Sequence, residues 1–179
     1  RVDIDDQNPY KKDIANNTNI GKLNGTLPEL ISKSDVFIGV SGKAGILNKQ
    51  MIESMNKDAI VFALSNPDPE IIPSSALKYG AKIVATGRSD FPNQINNAVV
   101  FPSVFRALLD LRVNNISEFM LESVAHAIAS IVEDIHLRND YIIPKVDDPR
   151  ILPIVTKTIK KVLSRHIKNK VDSKSITKN

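Results

Sequence analysis

The sequence predicts an α/β fold built on a Rossmann-like parallel sheet. Three short apolar runs recur along the chain, at residues 35–40, 60–64 and 82–86. Each is too short for a buried helix, and each ends in small polar residues. Connections of helical length separate the runs, so right-handed crossovers make the strands parallel and bring the loops that follow them to one edge. Because open α/β sheets bind ligands beyond the carboxyl ends of their strands, that edge is the predicted site.

The composition is ordinary for a globular protein: the chain has 179 residues, of which 42% are hydrophobic and 25% charged. No apolar stretch has the length of a membrane span, and the first residues lack the pattern of a secretory signal. The absence of cysteine excludes disulfides and cysteine metal sites and fits a reducing compartment. We therefore expect a cytoplasmic protein that is not attached to a membrane.

Capping signals place the first elements. Residues 1–25 are polar and rich in asparagine, which predicts a loop with at most a short helix near residues 10–15. Thr26 and Glu29 have the spacing of a capping box, so a short helix is expected to end near residue 32. The first strand follows.

Between the strands the sequence predicts two further helices. Asn48 is placed to cap a helix over residues 49–56 after the first strand. After the second strand, Ser74 or Ser75 is expected to begin a helix that ends near Gly80, a suitable C-terminal glycine.

The segment after the third strand is expected to be helical. A helix is predicted from about residue 102 to residue 111, and Ser117 is a good N-cap for a longer one that ends at His136. Asp148 is expected to cap a last helix, residues 149–168. The apolar positions that define the period of the longer helix are Met120, Val124, Ile128, Ile131 and Ile135.

The carboxyl terminus is basic. From residue 157 onward there are eight lysines or arginines and one acidic residue, Asp172. A basic tail can attract nucleic acid, but no aromatic residues are interleaved with these cations and no groove-reading motif accompanies them. We expect a solvated helix face that continues into a disordered tail at residues 169–179, and no nucleic-acid partner.

Familiar catalytic motifs are absent from the sequence. None of the seven glycines forms G-x-G-x-x-G or a P-loop. Lys43 stands where a nucleophile elbow around Ser41 requires glycine. His126, His136 and His166 have no partner at metal-ligand spacing, so we expect structural roles for them and assign no metal ligand.

Three stretches at the strand ends carry a resemblance. DVFIGVSGKAGILNKQMI (35–52), IVFALSNPDPEI (60–71) and VATGRSDFPNQINNAVVFPSVFRALLD (84–110) closely resemble the carboxy-terminal NAD-binding domain of bacterial-type malic enzymes. They do so in order and at matching spacing, and the resemblance runs from about residue 8 to about residue 135. The Asn-Asn block within the third stretch is its most specific part.

The resemblance implies oxidative decarboxylation of L-malate to pyruvate and CO2, with NAD or NADP as hydride acceptor and Mg2+ or Mn2+ as Lewis acid. It implies that Asn66, Asn96 and Asn97 hold the malate carboxylate and the nicotinamide ribose or amide. Amide groups suit this task because they orient an anion without titrating. Alternatively, Asn66 only starts a turn with Pro67, and Asn96-Asn97 are two loop residues before a helix.

The resemblance also implies a cofactor site. Val40, Ser41 and Gly42 would line the dinucleotide, together with Asn66 and Asn96. Other family features have no counterpart here: the tyrosine and lysine that transfer protons, the acidic metal ligands and the Gly-rich pyrophosphate loop all precede the matching stretch in the family. No catalytic residue is therefore assigned in this chain, which by itself is expected not to turn over malate.

These features predict the organisation of the chain. Residues 1–25 would be a loop that connects from a missing upstream half, and residues 26–136 the second half of a doubly wound NAD(P)-binding domain. Residues 137–168 would be a C-terminal helical extension. The expected partners are the N-terminal catalytic half and a second copy in a homodimer. The alternative is a non-catalytic nucleotide-binding regulatory module.

Overall fold

Three parallel strands form an open sheet. The computed structural model describes the backbone of residues 8–176 and the side chains of residues 8–165. The strands stand in the order β1 (Val36–Gly39), β2 (Ile60–Ala63) and β3 (Ile83–Thr86). Gly39, Ala63 and Thr86 pair level with one another, so all three carboxyl ends lie at one edge. The predicted parallel α/β architecture is confirmed.

Four short helices precede or connect the strands: two lie before β1, one connects β1 to β2, and one connects β2 to β3. They are α1 (Pro9–Asn17), α2 (Leu27–Ile31), α3 (Lys49–Ser54) and α4 (Pro73–Lys78). The Glu29 carboxylate accepts hydrogen bonds from the backbone N–H and the hydroxyl of Thr26, at 2.6 and 2.9 Å, as predicted for a capping box. Asn48 accepts from the N–H of Met51 at 3.0 Å, also as predicted.

The start of α4 differs from the prediction. Its N-cap is Ile72 and its first residue is Pro73, so Ser74 and Ser75 lie inside the helix. Proline favours the first helical position because its φ is already helical and its missing N–H would have no partner there. Gly80 follows the helix with φ +110°, in agreement with its predicted role.

The two faces of the sheet are covered unequally. On one face, Val61 and Ala63 are fully buried in a cluster with residues from α2, α3 and α4. On the other, Val36 and Ile38 of β1 remain 47% and 60% exposed, and Phe62 of β2 is half-buried. The sheet therefore has one well-covered face and one that the described residues cover only in part.

Three longer helices form a second core. They are α5 (Phe101–Asp110), α6 (Glu118–Ala129) and α7 (Ile151–Ile176). α5 and α6 both make their most extensive contacts with α7. Val155 and Ile159 of α7 are completely buried in this cluster. Burial of an amphipathic face, more than helix propensity, stabilises such helices.

The helix predicted from Ser117 ends earlier than expected. Ser117 caps α6 by accepting from the N–H of Met120, at 3.2 Å, but α6 ends at Ala129 and not at His136. The next N–H groups, of Ile131 and Val132, bond to carbonyls three residues back, at 3.1 and 3.2 Å. This tighter turn breaks the α-helical period.

The last residue of the apolar face predicted for that helix, Ile135, is therefore not part of the helix. Ile131 stays buried, whereas Ile135 lies in a 3-10 turn, Asp134–His136, and is 83% exposed.

The last helix begins and ends later than predicted. Asp148 accepts from the N–H of Arg150 at 2.9 Å, and the helix proper starts at Ile151. It continues to Ile176, beyond the expected end at residue 168. No proline or glycine follows Pro153 in this helix, so no helix-breaking residue ends it early. Residues 177–179 lie outside the described part.

None of the helices in residues 8–176 combines the length and the apolar character that a membrane span requires.

Candidate functional site

The loop that follows β1, residues 40–45, offers an open backbone at the carboxyl edge. Val40 is 78% exposed. Gly42 and Gly45 have φ values of +68° and +64°, in the left-handed region that favours glycine. A Cβ added at either glycine would meet no atom within 4 Å. A ligand could therefore approach the backbone of this first loop closely, as the glycines of nucleotide sites permit.

The loop that follows β2, residues 64–68, is joined to the first loop. Ser65 is buried, and its hydroxyl accepts a hydrogen bond from the N–H of Gly42 at 2.9 Å. Asn66 is exposed, and its side chain makes no hydrogen bond to any residue between 8 and 165. The Asn66–Pro67 peptide bond is cis. The amide of Asn66 is therefore available to a ligand.

Glu70 lies beneath these two loops, where the sequence analysis assigned no function. Its side chain is 0% exposed. Ser65 donates to it through its N–H, at 3.1 Å, and through its hydroxyl, at 2.5 Å. Ser41 also donates through its N–H and its hydroxyl, at 3.3 and 3.2 Å. The sequence does contain a signal for this residue, because Glu70 is a charged residue flanked by Pro69 and by two isoleucines, Ile71 and Ile72.

The surroundings of Glu70 favour its ionised form. Burial raises the pKa of its carboxyl, but the hydrogen bonds from Ser65 and Ser41 outweigh burial and leave the pKa below its ordinary value. Because the pKa is depressed in the folded state, the stability from this carboxylate is present above the ordinary pKa of glutamate. It is lost as the pH falls through the folded-state pKa.

The loop that follows β3, residues 87–97, first extends the sheet and then turns. The N–H of Ile95 donates to the carbonyl of Thr86 at 2.9 Å. Asn96 is engaged at both ends of its amide: Nδ2 donates to the carbonyl of Gly87 at 2.9 Å, and Oδ1 accepts from the N–H of Ala98 at 2.9 Å. Asn96 therefore fixes the start of the 3-10 turn Asn97–Val99.

Asn97 differs from its neighbour. It is exposed, and its side chain makes no hydrogen bond within residues 8–165. Of the two adjacent asparagines, Asn96 thus shapes the loop and Asn97 presents an uncommitted amide.

Asn93 anchors the third loop, a role that was not predicted from the sequence. It is buried, with φ +55°. Its Nδ2 donates to the carbonyls of Val84 and Asn139, at 3.0 and 2.8 Å, and its Oδ1 accepts from the N–H of Ile142 at 3.0 Å. These partners lie up to 49 residues away along the chain, so no local pattern could have revealed them.

An ion-pair group links the second and third loops on the surface. The guanidinium of Arg88 donates to both oxygens of Asp90 at 2.8 Å and reaches Asp68 at 3.5 Å. The hydrogen bonds from Arg88 lower the pKa of the Asp90 carboxyl. The first loop is thus tied to the second by Ser65 and Glu70, and the second to the third by Arg88.

The described residues offer no metal site. Within residues 8–165, no three His, Asp or Glu side chains lie close enough together to hold an ion. Tyr10 and Lys11 lie on α1, which buries no residue.

Comparisons with known proteins point to one protein family. Residues 2–164 match the family model described as malic enzyme, NAD binding domain. The bifunctional malic/malolactic enzyme of Bacillus subtilis (strain 168) is 48% identical over 154 residues, which cover 86% of this chain and 37% of that protein. The NAD-dependent malic enzyme of Geobacillus stearothermophilus is 45% identical, with 86% and 32% covered. Other relatives are named NADP-dependent malic enzymes.

A solved structure supports the same relationship. The malic enzyme of Pyrococcus horikoshii Ot3 superposes with a TM-score of 0.79 at 42% identity, over 88% of this chain and 36% of that one. The chain thus spans about a third of the length of the relatives that it matches.

Proposed function

Because the chain belongs to the malic enzyme family, as its NAD-binding domain, we propose that it is part of an oxidoreductase that converts L-malate to pyruvate and CO2. In this proposal NAD or NADP accepts the hydride, and Mg2+ or Mn2+ acts as the Lewis acid. The observation that supports it most directly is the pair of uncommitted amides, Asn66 and Asn97, in the loops that follow β2 and β3. The loop that follows β1 adds the open backbone of Gly42 at the same edge of the sheet.

Each loop has a defined task in this proposal. The first loop, with Val40, Ser41 and Gly42, lines the dinucleotide. Asn66 and Asn97 donate amide hydrogen bonds to the malate carboxylate and to the nicotinamide ribose or amide. These groups bind an anion without adding a proton that titrates near neutral pH. Asn96, which contributed to both sites in the sequence analysis, acts mainly by fixing the turn that presents Asn97.

The remaining parts of the proposal concern the whole enzyme. The proton-transfer residues and metal ligands are expected from its other parts, and the enzyme is expected to be a cytoplasmic homodimer. We retain the division into residues 26–136 and 137–168, with α7 packed against α5 and α6 in a common core. Neither nucleic acid nor a membrane is a partner in this proposal.

The test is turnover by the complete enzyme that contains this domain. With L-malate, Mn2+ and either NAD or NADP, we expect nicotinamide reduction that depends on malate and metal, with one pyruvate formed for each nucleotide reduced. Nucleotide binding without malate turnover would favour the regulatory module instead. Lactate as the only product would also contradict the proposal.

A further prediction concerns the choice of cofactor. Lys11 and Lys12 lie on α1, directly after the region that by resemblance carries the adenosine ribose. A lysine there could pair with the 2′-phosphate of NADP. In the complete enzyme with Lys11→Ala and Lys12→Ala, we expect a higher KM for NADP and an unchanged KM for NAD.

The effect on NADP should also shrink as salt is added, since ions screen an exposed pair. Michaelis constants for both cofactors at two ionic strengths measure this. Equal changes for NAD and NADP would contradict this idea and leave the cofactor preference to other residues of the complete enzyme.

A further inference from the structure

One buried carboxylate joins the ends of two neighbouring strands. Oε2 of Glu70 accepts from the backbone N–H of Ser65, in the loop that follows β2. Oε1 accepts from the backbone N–H and the hydroxyl of Ser41, in the loop that follows β1. Both carboxylate oxygens are therefore in use, and their donors come from two different loops. One of these loops carries the proposed cofactor contacts, and the other carries Asn66.

The negative charge of Glu70 is balanced by dipoles and not by a cation. The ion pairs formed among residues 8–165 do not include Glu70. A buried carboxylate is costly unless its oxygens are hydrogen-bonded. The N–H and hydroxyl groups of Ser41 and Ser65 must therefore stay in place, because the displacement of any one of them would leave the buried charge with one partner fewer.

The carboxyl group of Glu70 is also closely packed against β1. A Cβ added at Gly39, the last residue of β1, would come within 2.5 Å of Oε1 of Glu70. The carboxyl group thus occupies the space of a side chain at that position, which explains the glycine. The backbone contributes as well, because the carbonyls of Pro69 and Glu70 accept from the N–H groups of Gly45 and Leu47, both at 3.1 Å.

We propose that Glu70 is a positioning residue that holds the first loop and the Ser65-Asn66 turn in a single geometry. The cofactor and malate then bind to surfaces that cannot move independently. This inference rests on the proposed function for the identity of the two ligands. It adds a residue that touches neither of them, and it predicts that one substitution weakens the binding of both.

The decisive variant is Glu70→Gln in the complete enzyme. Glutamine has almost the same size, but its NH2 group would face a donor from Ser41 or Ser65, so one side of the network must open. We expect the KM values for malate and for the cofactor to rise by about ten-fold each, which is the scale for hydrogen bonds to a charged group. The kcat should fall by less. The dissociation constant of NADH, measured by its fluorescence, should rise in parallel.

Three further variants separate positioning from general support of the fold. Ile159→Ala lowers stability in the second core, which does not include Glu70, and should leave the dissociation constant of NADH unchanged. Glu53→Gln replaces an exposed glutamate on α3 and should change nothing. Ser65→Ala removes one hydroxyl of the network but keeps the backbone donor, so it should raise both KM values by a smaller factor. This last variant decides the question if Glu70→Gln does not fold.

The outcomes are distinct. If Glu70→Gln lowers kcat or thermal stability but leaves both KM values and the NADH dissociation constant as in the wild type, Glu70 only supports the fold and the inference is wrong. A rise in one KM alone also contradicts it. If the wild-type enzyme does not turn over malate, the proposed function fails. In that case the dissociation constants of NADH for the wild type and for Glu70→Gln test the inference, and equal constants overturn it.

Discussion

In the complete enzyme, Asn66→Ala or Asn97→Ala should lower kcat/KM for malate by roughly ten- to a hundred-fold. Each change removes one or two hydrogen bonds to a charged ligand, each of which contributes on the order of 1.5–3 kcal/mol. Neither side chain makes a hydrogen bond within residues 8–165, so the loss should appear in turnover and not in stability. Steady-state kinetics at saturating cofactor, together with thermal unfolding, measure both quantities.

Two asparagines serve as controls. Asn115 is exposed in the connection between α5 and α6, and Asn115→Ala should leave both turnover and stability unchanged. Asn96→Ala removes two internal hydrogen bonds and should therefore lower both. If Asn66→Ala and Asn97→Ala both keep wild-type kinetics, these residues only form turns.

The largest expected loss of stability is that of Ile159→Ala. Ile159 is 0% exposed at the centre of the second core, and truncation of such a side chain costs about 2–5 kcal/mol through lost burial and the cavity left behind. Ile135→Ala is the matched control. The period of the sequence predicts a buried face for Ile135, but Ile135 is 83% exposed, so its truncation should change the free energy of unfolding by less than about 0.5 kcal/mol.

Urea unfolding followed by circular dichroism compares the two variants. A similar loss for both would mean that α6 continues to His136 and buries Ile135, contrary to the tight turn that follows Ala129.

Local sequence signals predicted most of the elements. The apolar runs predicted the three strands. The caps at Asn48 and Ser117 could be predicted because a capping side chain and the N–H from which it accepts lie within three residues of each other. The predictions were less accurate where elements end. α6 stops at Ala129 and α7 continues to Ile176, since a helix end depends on packing and on turn geometry as much as on composition.

The sequence by itself determined the order of the strands along the chain, the edge of the sheet at which the three loops meet, and the family. Only the tertiary structure decided which polar residues are committed to internal bonds. Asn96 and Asn97 are adjacent and chemically identical, yet one is bonded at both ends of its amide and the other is open. Glu70 acquires one of its two partner residues, Ser41, from a loop 29 residues away. Hydrogen bonds act over about 3 Å in space, whatever the separation along the chain, so only the fold can assign them.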